Sequence, residues 1–86
     1  MITKKLLHDI ITFCNSYIDN KNILFSITKY PCFISIDVEV WKVLNDAIDD
    51  RKGGISENIH NEKEFIKFKE TVLNQLPLLL KQVKTD

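Results

Sequence analysis

The side chains best able to do chemistry in this chain are two histidines, two cysteines and a group of acids near its middle. His8 and Cys14 are six residues apart, a spacing that neither a helix face nor a zinc knuckle uses to hold a metal. Cys32 and His60 have no second Cys or His two to four residues away. Nucleophilic catalysis needs a thiol or hydroxyl with a base in reach. Cys14 falls on the apolar face of an expected helix, where its thiol pKa rises and it becomes inert. The reading is two reduced, buried thiols and two surface imidazoles. Gly53-Gly54 is no phosphate cradle, because no Lys-Ser/Thr pair or helix-opening glycine pattern follows. Asp37-x-Glu39 with Lys42 faintly echoes the acidic pair and lysine of metal-dependent nucleases. Those sites use adjoining strands and a further upstream carboxylate, and here a helix is expected. An enzyme is the class the sequence supports least, and no cofactor or metal is implied.

The acids make a stronger case for binding. Read as a helix, Ile36 to Asp50 carries Ile36, Val40, Val43, Leu44, Ala47 and Ile48 on one face. Glu39, Asp46 and Asp50 then fall within about 40° of one another along one edge, with Asp49 further round. Trp41, the single tryptophan, lies on the other rim. Tryptophan anchors many protein interfaces, and a row of carboxylates steers a basic partner. The expected partner-binding residues are therefore Glu39, Trp41, Asp46, Asp49 and Asp50. The plainer reading is that Trp41 closes the core and the acids are a solvated face.

These residues need elements to hold them. Thr3 can cap a first helix, Lys4 to Asp19, with Leu6, Leu7, Ile10, Ile11, Phe13, Cys14, Tyr17 and Ile18 at helical spacing. Ile23 to Tyr30 reads as a short helix or as a strand with Ile23, Phe25 and Ile27 on one face. Pro31 stops either. Ile34, Ile36, Val38 and Val40 alternate as in a strand, but the run continues through Val43, Leu44, Ala47 and Ile48, which only a helix gathers on one face. With Ser35 as cap, a third helix over Ile36–Asp50 is expected, and Gly53-Gly54 ends it. The alternative is a hairpin of Ile23–Lys29 with Phe33–Val40. Ile55 to His60 reads as a loop. Asn61 caps a last helix, with Glu64 as its capping-box partner and Phe65, Phe68, Val72, Leu76, Leu79, Leu80 and Val83 as its stripe. Pro77 should kink or break it. The expected fold is all-α, a small antiparallel bundle of three to four helices forming one domain over 1–86. The alternative is α+β, with a β-hairpin at about 23–40.

Composition narrows the class further. The chain has 86 residues, 44% hydrophobic and 28% charged, as expected of a folded globular domain. Starting at Met1, it reads as a whole gene product. A chain this short buries only roughly 60% of its unfolded surface, so its stability is marginal. Twelve basic and twelve acidic residues cancel, which gives no overall pull toward nucleic acid or membrane. The middle is uneven: residues 36–64 hold eight acids against four bases, net −4, and each flank is +2. No signal peptide is visible, because His8 and Asp9 interrupt the apolar run after Lys4 and Lys5. No stretch approaches roughly 18 apolar residues, so a cytoplasmic location is expected. Lys63, Lys67, Lys69, Lys81 and Lys84 form the solvated side of the last helix, and there is one arginine, which argues against nucleic-acid recognition.

The layout is similar to that of small helical bacteriocin immunity proteins, those that neutralise colicin-D-type tRNases and contact-dependent inhibition toxins. A leading amphipathic helix ends in Tyr17-Ile18-Asp19. A middle segment carries Trp41-Lys42-Val43-Leu44-Asn45-Asp46-Ala47. A polar loop then leads to a closing helix near Asn61-Glu62-Lys63-Glu64-Phe65. The resemblance covers most of the chain and rests on no specific motif. It implies a cognate inhibitor, an immunity protein or antitoxin that occludes a basic nuclease toxin with carboxylates in place of RNA phosphates. The zero net charge departs from the usual acidic balance. Two other readings stay open. One is a small regulatory or phage-encoded adaptor, whose homodimeric form would bury Trp41 and Val38. The other is a nucleic-acid binder that uses the last helix.

Overall fold

The computed structural model describes residues 2–44 and 47–85, the side chains of residues 47, 49, 84 and 85 excepted. The chain runs α1 (Lys4–Asn15), β1 (Ile23–Lys29), β2 (Ile34–Leu44), β3 (Ala47–Ile59) and α2 (Glu62–Thr85). It is α+β, two helices against a three-stranded antiparallel meander ordered β1-β2-β3. The all-α helical bundle is therefore corrected. Of the residues expected to form a third helix, 36–44 lie in β2 and 47–50 in β3, and residues 55–59, expected as loop, are the end of β3.

The physical reason lies in β2. Ile34, Ile36, Val38 and Val40 alternate with polar residues, and all four are buried. In a strand they share one face at period two. A helix over the same residues would have turned Ile36 and Val38 about 200° apart and left one of them in water. Val38, offered above as an interface residue, is core.

The neighbouring strands complete that face. Phe25 lies opposite Val38 and Ile27 opposite Ile36 on one side. Ile55 lies opposite Val38 and Ile59 opposite Ile34 on the other. Leu6, Ile10 and Cys14 of α1 and Phe65, Phe68, Val72 and Leu76 of α2 close over it. Phe13 sits between the helices, edge-on to Tyr17, Phe65 and Phe68. The core is thus one layer thick, between a sheet and two helices.

Local chemistry sets the helix ends. Thr3 Oγ1 accepts from Leu6 N at 3.1 Å and starts α1. The helix stops at Asn15, four residues before the expected end. Tyr17 N and Ile18 N turn back to Cys14 O and Asn15 O in tighter steps. Asn61 Oδ1 accepts from Glu64 N at 2.9 Å and starts α2. Glu64 reaches back one residue further than a capping box does, to His60 N at 2.7 Å, and meets His60 Nδ1 at 2.9 Å. Those bonds hold its carboxyl below the usual glutamate range. Pro77 does not end α2, a 24-residue helix that continues past it to Thr85.

Gly53-Gly54 ends no helix. Both glycines lie within β3 and make room there. A Cβ on Gly53, opposite Val40, would stand 2.6 Å from Leu79 Cδ2 of α2. Leu79 can therefore lie flat on the sheet only over a bare backbone.

Phe68 is 2% exposed at the centre of this layer. Truncating a buried phenylalanine costs about 3–5 kcal/mol. A domain of this length holds only on the order of 4–13 kcal/mol in total. Phe68→Ala is expected to lose most of the stability in urea unfolding. A loss below about 1 kcal/mol would mean that α2 is not seated on the sheet.

Candidate functional site

The helices cover one face of the sheet and leave the other to solvent. Alternation from the core residues assigns that outer face to Leu24, Ser26 and Thr28 of β1, to Ser35, Asp37, Glu39 and Trp41 of β2, and to Gly54, Ser56 and Asn58 of β3. Glu39 and Trp41, set on opposite rims by the expected helix, are therefore neighbours on one face. The Trp41 indole Nε1–H donates to Glu39 Oε2 at 2.9 Å. Arg51 Nε–H donates to the same oxygen at 3.0 Å. Trp41 itself is half-buried.

The sequence builds this group through two irregularities. The β2–β3 register shifts between Val40 and Trp41, so that Trp41 pairs with Arg51 and Lys52 is passed over. Such bulges re-aim side chains. Gly54, opposite Glu39, supplies the room. A Cβ there would collide with the Arg51 guanidinium and crowd Val38 O and Glu39 Cγ. Arg51 thus lies over a glycine to reach Glu39.

Asp37 sits next along the face and accepts hydroxyl hydrogen bonds from both flanking strands, Ser56 Oγ to Oδ1 and Ser26 Oγ to Oδ2 at 3.4 Å. At the far end Tyr30 stacks on Phe33 at 4.8 Å, and Phe33 lies 5.5 Å from His60. The outer face is thus a strip of carboxylates and small polar groups, closed at each end by aromatic rings.

The remaining expected residues fall elsewhere. Asp50 pairs in register with Lys42, which is on the opposite face from Glu39, and its carboxylate takes Lys52 Nζ at 3.0 Å. The acidic row of Glu39, Asp46 and Asp50 is corrected accordingly, because it depended on a helical period. Asp46 lies outside the described residues, as does the side chain of Asp49. The sequence reading missed Arg51, Tyr30, Phe33 and His60 as members of this face. Tyr30 and Phe33 continue the alternation of β1 and β2, which a helical reading of 36–50 hides, whereas Arg51 reaches the face only through the bulge in β3.

Other chemistry is sparse. Among the described residues no three His, Cys, Asp or Glu side chains stand together as a metal site would need. Cys14 is buried, and desolvation pushes its thiol up to about 11, so it stays protonated at neutral pH. Cys32, expected to be buried, is exposed at the β1–β2 tip beside Pro31, and both thiols are free. No described helix is long and apolar enough to cross a membrane. Comparison with protein-family models, curated proteins and solved structures gave no match.

Glu39 is the shared acceptor of the group, and its side chain is about a third exposed. Glu39→Ala should lower stability by about 1 kcal/mol, a charged hydrogen-bond loss discounted for solvent screening. It should also shift the Trp41 indole N–H resonance upfield in the proton spectrum, while Glu39→Gln keeps most of both. An indole resonance unmoved by Glu39→Ala would show that the bond is absent in solution.

Proposed function

We propose that this chain is a non-enzymatic protein-binding inhibitor that docks a partner on the helix-free face of its sheet. In its specific form it is an immunity protein or antitoxin, and the partner is a basic nuclease toxin domain whose active site the face covers. The supporting observation is the Trp41–Glu39–Arg51 group. It fixes a large aromatic ring at the edge of an otherwise open strip, and a ring whose polar atom is already bonded loses little freedom on docking.

The strand arrangement redistributes the carboxylates. Glu39 is already matched by Arg51, and Asp50 by Lys52 on the other face. Asp37, whose partners are two neutral hydroxyls, carries the face's uncompensated negative charge. The partner-facing residues are therefore Asp37, Glu39 and Trp41, with Leu24 as an exposed apolar neighbour. A mixed strip of this kind gives orientation and a faster on-rate rather than a full phosphate mimic.

The test is co-expression with the product of the adjoining reading frame, followed by calorimetric titration of the purified pair. Trp41→Ala and Asp37→Lys are each expected to weaken the complex at least about tenfold, near 1.4 kcal/mol. Lys67→Glu, on the exposed side of α2, is expected to leave it unchanged. A complex that tolerates both outer-face changes and fails with Lys67→Glu would contradict the proposal.

A further inference from the structure

We infer that two copies of this chain join through the free edges of β1, making one continuous six-stranded antiparallel sheet. The sheet has two edges, β1 and β3, and no described residue pairs with the far side of either. Exposed edges invite pairing, and proteins that stay monomeric blunt them with bulges, charges or proline. β3 is blunted in several ways. It carries two register shifts against β2 and the glycine pair, and its exposed Glu57 sits on the core side opposite Ile36. β1 has none of these. Ile23-Leu24-Phe25-Ser26-Ile27-Thr28-Lys29 is regular over seven residues, with no proline, no glycine and no charge before its last position.

The hydrogen-bond parity of β1 fixes which groups are on offer. Tyr30 N donates to Phe33 O at 2.8 Å, and Trp41 N donates to Asn22 O at 2.8 Å. Even-numbered residues of β1 therefore bond to β2, and the N–H and C=O groups of Phe25 and Ile27 point to the free edge. A second β1 running antiparallel with Ser26 opposite Ser26 places Phe25 directly against Ile27 of the other copy, and Ile27 against Phe25. Those are the two residues whose backbone groups are unused, so each pair can exchange two N–H···O bonds.

The side chains agree with that register. Phe25 and Ile27 are only half-buried on the core side. An aromatic ring against a β-branched side chain is a favourable cross-strand pair. On the outer face Ser26 meets Ser26 and Leu24 meets Thr28. Lys29 faces Ile23, so no like charges oppose one another. The two-fold axis is perpendicular to the sheet. All four helices then lie on one side, and the two outer faces form one strip on the other.

Sedimentation equilibrium of the purified chain is expected to give twice the 10.1 kDa of one copy. Ser26→Lys should give the single-copy mass with an unchanged circular dichroism spectrum. Within one copy a lysine there faces Asp37, but across the axis it faces another lysine. Should that variant unfold, Ser26→Cys in a Cys32→Ser background replaces it. Under oxidised glutathione it is expected to cross-link into a covalent dimer, while Leu24→Cys in the same background is not, because Leu24 faces Thr28. A single-copy mass at all concentrations overturns the inference. So does a dimer that survives Ser26→Lys, or equal cross-linking from positions 24 and 26. No partner protein is needed, so the result is independent of the inhibitor reading.

Discussion

The structure depends on the burial of one face of β2. Among the described residues, Ile34, Ile36, Val38 and Val40 are the only run that presents four β-branched side chains in a row to a single side, and each is nearly or fully removed from water. At about 2 kcal/mol for each such side chain, this is a large share of what holds the fold. Both helices lie over it, and both flanking strands take their register from it. Because side chains alternate, fixing the core face also fixes what is left outside. Asp37, Glu39 and Trp41 reach solvent because Ile36, Val38 and Val40 do not.

That link between core and surface changes the account of binding. A helix would have displayed a row of acids with a tryptophan across from them. The strand instead puts tryptophan and glutamate side by side and sends Asp50 to the other face. Two of the described carboxylates find a cation, Arg51 over Gly54 for Glu39 and Lys52 for Asp50, and Asp37 takes two neutral serine hydroxyls. The surface is ordered and almost neutral, which favours fit over long-range attraction.

Both helices were legible from the sequence because their signals are local. Thr3 and Asn61 are caps, and the apolar stripes repeat at 3.6 residues. Ile36 to Asp50 was not, because two periods coincide there. Ile36, Val40, Val43 and Ala47 fit a helical face, while Ile34 to Val40 fit a strand, and the longer run favoured the helix. What decides between them is distant: β1 and β3 must already lie alongside, and no window of β2 contains them. The outer half of β3 is harder still. Asp49 to Gly54 is poor in strand formers, and its place comes from pairing with Val40, Trp41 and Lys42 rather than from its own preference. The candidate site was half visible for the same reason. Glu39 and Trp41 stand out by residue type, whereas Arg51 joins them only through a bulge and a glycine.

The measurement that bears most directly on this arrangement is the proton NMR spectrum of the labelled protein across residues 23–44. The residues at the unbonded positions of the β1–β2 ladder face each other closely through their Hα atoms. Strong Hα–Hα cross peaks between Phe25 and Val38 and between Ile27 and Ile36 are the predicted result. Sequential contacts three residues apart through Ile36 to Leu44, without those cross peaks, would show a helix there and contradict both the fold and the face built on it.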